Sequence, residues 1–114
     1  MMLDRTAILG KLDLKREAVA VPEWGDSVFI REMTAGERDE WESQVWGENP
    51  PHKDRLRAAL VAYTLCDDKG VRLFTADDIT ALEKLGAAAL HRVFEAAMRL
   101  NQLRKEDMEA VAKN

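Results

Sequence analysis

At 114 residues the chain suits one compact domain, able to bury roughly two-thirds of the surface its unfolded form would expose. Apolar residues make up 46% and charged residues 33%, which supplies a core and excludes wholesale disorder. A formal charge of -4, from 17 basic against 21 acidic residues, provides no basic face for a polyanion, so nucleic acid is not expected as a partner.

Cys66 is the only cysteine, which rules out an intramolecular disulfide, and the N-terminus lacks the apolar core of a signal peptide. The reading is a protein of a reducing cytosol. The longest apolar run, Ala58 to Leu65, falls far short of the roughly twenty residues that cross a bilayer, so no membrane association is expected.

In chain order, Asp4 is the N-cap of a weak first helix with Ile8 and Leu9 as its anchors before Gly10. Alternation then predicts a β-hairpin over about residues 12–32. Leu12 and Leu14 have one parity and Val19 and Val21 the other, which implies a bulge near Arg16 if both pairs face a core. The turn falls in Pro22-Glu23-Trp24-Gly25-Asp26, and the strand returns over Ser27 to Glu32. Val28 and Ile30 share one face, Phe29 and Arg31 the other.

Thr34-Ala35-Gly36-Glu37 reads as a capping box. The helix it opens carries Arg38, Trp41 and Val45 at helical spacing and ends around Trp46-Gly47, before a break at Glu48-Asn49-Pro50-Pro51. A central core helix follows over Lys53 to Asp67, with Leu56, Ala59, Leu60, Tyr63 and Cys66 along its stripe. Asp67-Asp68-Lys69-Gly70 is a turn, and Val71 to Phe74 is extended or irregular. Thr75 and Asp78 form a second cap with Phe74 and Ile79 as a staple, opening a helix with Ile79, Leu82 and Leu85 on its apolar face that stops near Gly86. The last helix, Ala87 to Leu103, repeats the stripe with Leu90, Val93, Phe94, Ala97 and Leu100. Residues 1–103 thus form one domain, and residues 104–114 a weakly anchored C-terminal segment.

No catalytic, cofactor or metal site is predicted. His52 lies beside the proline break, and His91 is in a different helix from Cys66, which itself reads as a small core hydrophobe. Asp67 and Asp68 lack the alternating ligands and closing glutamate of a calcium loop. The acids of Glu37 to Glu42 read as the solvated side of a helix near its N-terminus. Among the tryptophans, Trp41 is assigned to the core, while Trp24 at the turn and Trp46 at the helix end are the candidates for a partner-facing patch.

In sequence order, VPEWGDSVFIREMTAGERDEWE and then RLRAALVAYTLCDDKGVRLFTADDITALEKLGAAALHRVFEAAMRLNQL resemble the tail assembly chaperone family of long-tailed bacteriophages. The resemblance runs from about Leu14 to Ala112. Its pieces are a VPEWG turn, an R-E-x-T-A-x-E-R-D helix start, a D-D-x-G turn, an L-F-T-x-x-D-I cap and a closing R-L-N-x-L. It implies a non-catalytic protein of the bacterial host cytoplasm that is absent from the finished virion, binds the tape measure protein and recruits tail tube subunits. The family defines no catalytic or ligand residues to carry over. The competing classes are a head-tail connector component or a generic protein-binding regulator, with a small enzyme third.

The architecture predicted is α+β, an N-terminal antiparallel hairpin packed on a mainly helical domain of about four helices. Because an edge strand and exposed aromatics invite burial against a second copy, a homo-oligomer is also expected.

Overall fold

A computed structural model describes residues 2–46 and 55–103, the side chain of Trp46 excepted. The expected Pro50-Pro51 break, His52, the helix start at Lys53 and the segment 104–114 lie outside the described residues.

Helix α1 (Arg5–Leu9) starts where expected, with the Asp4 carboxylate accepting from the Ala7 N–H at 2.9 Å. At five residues it is too short to bury a stripe, and its intended anchors Ile8 and Leu9 are 55% and 57% exposed.

Strands β1 (Arg16–Val21) and β2 (Asp26–Arg31) pair antiparallel in unbroken register from Arg16↔Arg31 to Val21↔Asp26. The expected bulge near Arg16 is therefore absent, and the hairpin is shorter than 12–32. Leu12 and Leu14 precede the strand, and Leu12 is 80% exposed, so their parity imposes nothing on the sheet. Glu17, Val19 and Val21 alternate inward from the exposed Arg16, Ala18 and Ala20. On β2, Ile30 is fully buried and Val28 packs beside it.

Helix α2 (Ala35–Trp46) opens on the capping box read from sequence: the Glu37 N–H donates to Thr34 Oγ1 at 3.1 Å, and Glu37 Oε1 accepts from the Thr34 N–H at 2.9 Å. Trp41 and Val45 are its buried residues. Helix α3 (Leu56–Thr64) is the central element, buried without a break from Ala58 to Thr64.

Helix α3 ends three residues before the expected Asp67, because Leu65–Cys66 is a third strand, β3, paired with Ile30 and Phe29. Thr64 is buried with its hydroxyl donating to the Leu60 carbonyl at 2.7 Å, and Leu65 turns to extended backbone. Open ladder groups on β2 capture the two apolar residues that follow. Sheet order is β1-β2-β3.

A 3-10 turn over Ala76–Asp78 carries the Thr75/Asp78 capping box as expected, and leads into α4 (Ile79–Leu82). That helix is much shorter than predicted. Beyond Leu82 the chain tightens into three-residue hydrogen bonds, Lys84 to Ala81 and Leu85 to Leu82, which rotate Leu85 off the apolar face and leave it 41% exposed.

Helix α5 (Ala87–Leu100) lies across the sheet and buries Leu90, Val93, Phe94 and Ala97 against α3. It stops short of the expected Leu103. Gln102 adopts φ 55°, its N–H donates to Arg99 O at 3.2 Å, and the Leu103 N–H returns to Met98 O at 2.8 Å. That pair of bonds is a Schellman closure, and it folds Leu103 back into the core at 6% exposure. The architecture is α+β, as the sequence predicts, with the sheet one strand larger than the hairpin and, among the described residues, the weak first helix α1 beside four others.

Candidate interaction surfaces

The hairpin tip is built from the VPEWG stretch. Proline at the first position of the Pro22–Trp24 turn pre-sets its backbone, and Gly25 closes it at φ 82°, donating its N–H to Pro22 O at 3.1 Å. Trp24 is left 37% exposed at the apex. Glu23 beside it accepts two bonds from the Arg92 guanidinium of α5, at 3.1 and 3.0 Å. The Arg92 bonds hold the Glu23 carboxyl below the usual carboxylate range, and Glu23 in turn raises Arg92. An exposed tryptophan is thus carried on a tip fixed to the helical body.

Trp41 is buried at 1%, as assigned from sequence. Trp46 ends α2, and its side chain lies outside the described residues, so its relation to Trp24 is not among the contacts observed.

The acids of α2 divide. Glu40 and Asp39 are exposed, and Glu42 pairs with Arg38 at 3.2 Å along the helix surface. Glu37, read as solvated, is instead a half-buried hub: besides its capping bond, its Oε2 accepts from Arg31 of β2 and from Arg72 at 3.3 Å. Arg72 also donates to Ala62 O at 3.2 Å, and its guanidinium lies 4.4 Å over the Tyr63 ring. The placement escapes sequence reading because it depends on β2 and the 67–74 loop converging on the first turn of α2.

Cys66 is buried in β3, and burial pushes its thiol up, which suits a core residue. Asp67 forms the expected tight turn: its carboxylate accepts from the Lys69 and Val71 N–H groups at 2.8 and 2.9 Å, which lowers its pKa, and Gly70 supplies φ 85°. His91 is partly exposed, with Nδ1 accepting from Arg57 Nε at 3.1 Å and Nε2 2.7 Å from Glu95. Among the described residues, no three His, Cys, Asp or Glu side chains group as metal ligands. No helix among them is long and apolar enough to cross a membrane.

Two further surfaces were not singled out by sequence. Met2, Leu3 and Leu12 join Ile8 and Leu9 in an exposed apolar N-terminal arm, at 97%, 60% and 80% exposure respectively. A groove of about 650 Å³ runs between α3 and α5, with Ala58, Leu85 and Leu90 below a rim of Arg57, Glu83 and His91. A five-residue helix with only two anchors signals the first; nothing local signals the second.

Fold and surface together define a small α+β protein whose prominent features are an anchored, tryptophan-bearing hairpin and exposed apolar patches suited to protein contact. The chain belongs to the phage tail assembly chaperone family, whose model matches residues 5–114. Its fold is similar to the solved structure of the bacteriophage HK97 tail assembly chaperone, at a TM-score of 0.65 and 21% identity over 84% of this chain and 90% of that one. No curated protein matches. The family resemblance read from the sequence is borne out.

Proposed function

We propose that this chaperone binds the tape measure protein, keeps its apolar helices from aggregating, and recruits tail tube subunits to it in the host cytoplasm, without entering the finished virion. The observation that best supports this reading is Trp24, held 37% exposed on a turn that a bidentate Glu23–Arg92 pair fixes in place. A large, rigid, amphipathic side chain that is already ordered loses little entropy on binding an apolar helix. Trp46, at the end of α2, is the second residue assigned to this proposed contact.

Co-expression of tagged chaperone with the tape measure protein tests the reading. Trp24→Ala with Trp46→Ala should reduce co-purified tape measure protein at least tenfold, and undiminished recovery would remove this surface from the proposal. Mass spectrometry of purified virions separates a chaperone, which should be absent, from a head-tail connector, which should be present.

A further inference from the structure

We propose that His91 is a pH-sensitive latch on Arg57: the neutral ring holds the Arg57 side chain at the rim of the α3–α5 groove, and protonation of the ring releases it. The two bonds to the ring fix its state. Arg57 Nε carries a hydrogen and offers no lone pair, so His91 Nδ1, 3.1 Å away, is the acceptor. An ionised Glu95 carboxylate only accepts, so His91 Nε2, 2.7 Å from it, is the donor. Both bonds together define a neutral imidazole with its hydrogen on Nε2.

A proton added to this ring goes to Nδ1, where it meets the Arg57 N–H head on. Two positively charged donors then face each other, while the bond from Nε2 to Glu95 becomes an ion pair. One contact is lost and the other strengthened. Turning the ring over about its Cβ–Cγ bond gives no escape, because it moves Nε2 away from Glu95 and forfeits the bond that protonation has reinforced. Arg57 is therefore the group that moves. It is an exposed residue, and apart from the His91 bond its guanidinium rests over the Phe94 ring at 5.6 Å.

The neighbouring charges are occupied. Glu83, which also lines the groove, bonds Arg55 at 3.2 Å, and Arg92, next to His91 on α5, is held by its two bonds to Glu23. Among the described residues, the charged groups bonded to the ring are thus Arg57 from α3 and Glu95 from α5 itself. Arg57 lines the groove beside Ala58, Leu85 and Leu90 and lies over Phe94, which is buried. Its release widens the groove at this rim and uncovers the Phe94 ring, so protonation increases the apolar surface presented between α3 and α5.

Side-chain NMR of the full-length protein, followed from about pH 8 to about pH 5, tests the latch. At the upper end the His91 nitrogens should report the Nε2–H tautomer. On acidification the Arg57 Nε signal should shift in step with the His91 ring, and the nuclear Overhauser contacts between Arg57 and the Phe94 ring should be lost over the same range. His91→Phe keeps an aromatic ring but no nitrogen, and should leave the Arg57 Nε signal flat. Glu95→Gln removes the titrating carboxylate and keeps an acceptor, so Arg57 should still follow His91. An Nδ1–H tautomer at the upper end, an Arg57 signal indifferent to the His91 titration, or one that still responds in His91→Phe would overturn the proposal. So would a response that disappears in Glu95→Gln, since the switch would then belong to the carboxylate.

Discussion

Asn101 closes the molecule on Met33: its Oδ1 accepts from the Met33 N–H at 2.7 Å, while its Nδ2 donates to Ala97 O at 2.9 Å. The contact ties the segment after β2 to the end of α5, and it gives the asparagine of the R-L-N-x-L stretch a structural purpose. Met33 is buried, so Asn101→Ala leaves its N–H without a partner and should cost about 1–3 kcal/mol in urea unfolding. Asn101→Asp keeps the acceptor but loses the donors, and should fall between wild type and Ala.

Glu37 should be the most costly acid to remove. Its carboxylate is the shared anion of Arg31 and Arg72, whose side chains are only 12% and 21% exposed. Glu37→Gln keeps an amide oxygen for the Thr34 N–H but leaves two guanidiniums short of a counter-charge. A loss of about 2 kcal/mol is expected, since residual solvent access moderates the larger penalty of a fully buried pair. Glu37→Ala also removes the side-chain half of the capping box, leaving the Thr34 N–H without its acceptor, and should cost about 1 kcal/mol more. By contrast Glu40→Gln, at an exposed position, should change urea stability by less than about 0.5 kcal/mol.

The Glu23–Arg92 pair predicts a pH dependence whose sign is fixed. Bonding to Arg92 lowers the Glu23 pKa from its ordinary 4.5. The pair's contribution is therefore fully present above that ordinary value and is lost as pH falls through the lowered folded-state value. Melting temperatures of wild type and Glu23→Gln should differ near neutrality and converge on acidification below the ordinary glutamate range. Asp67, whose pKa is also lowered, titrates in both proteins and cancels in the difference. A gap that stays constant to low pH would show that Glu23 acts without its charge.

Local chemistry made much of this fold legible. Both capping boxes, the VPEWG turn and the Asp67 turn follow from contacts within four residues, the burial of Trp41 follows from helical spacing, and each appears where its residues dictate. What escaped depends on distant partners. Leu65–Cys66 continues a helical stripe and becomes a strand only because β2 offers open ladder groups. Leu85 continues an apolar face but follows a helix that has tightened beneath it. The exposure of Trp24 follows from its place at the turn, whereas the N-terminal element read as a weak helix with Ile8 and Leu9 as anchors, and periodicity cannot show that nothing receives them.

Gln102 is the one non-glycine residue at positive φ among those described, at 55°. The Schellman closure of α5 requires a left-handed residue there, and glycine meets that requirement without strain from a Cβ. Removing the strain should gain roughly 1 kcal/mol or more, part of which is offset by the greater freedom of glycine in the unfolded chain. Gln102→Gly should accordingly raise stability by about 0.5 kcal/mol, read as a higher urea midpoint at unchanged slope. Gln102→Val should move the other way by more than 1 kcal/mol, roughly, since a β-branched side chain tolerates this conformation least. Loss of the closure would also free Leu103, so the Val variant should show faster amide exchange at Leu103, whose N–H bonds Met98 O at 2.8 Å. If both substitutions left the midpoint unchanged, the left-handed turn would not be a source of strain.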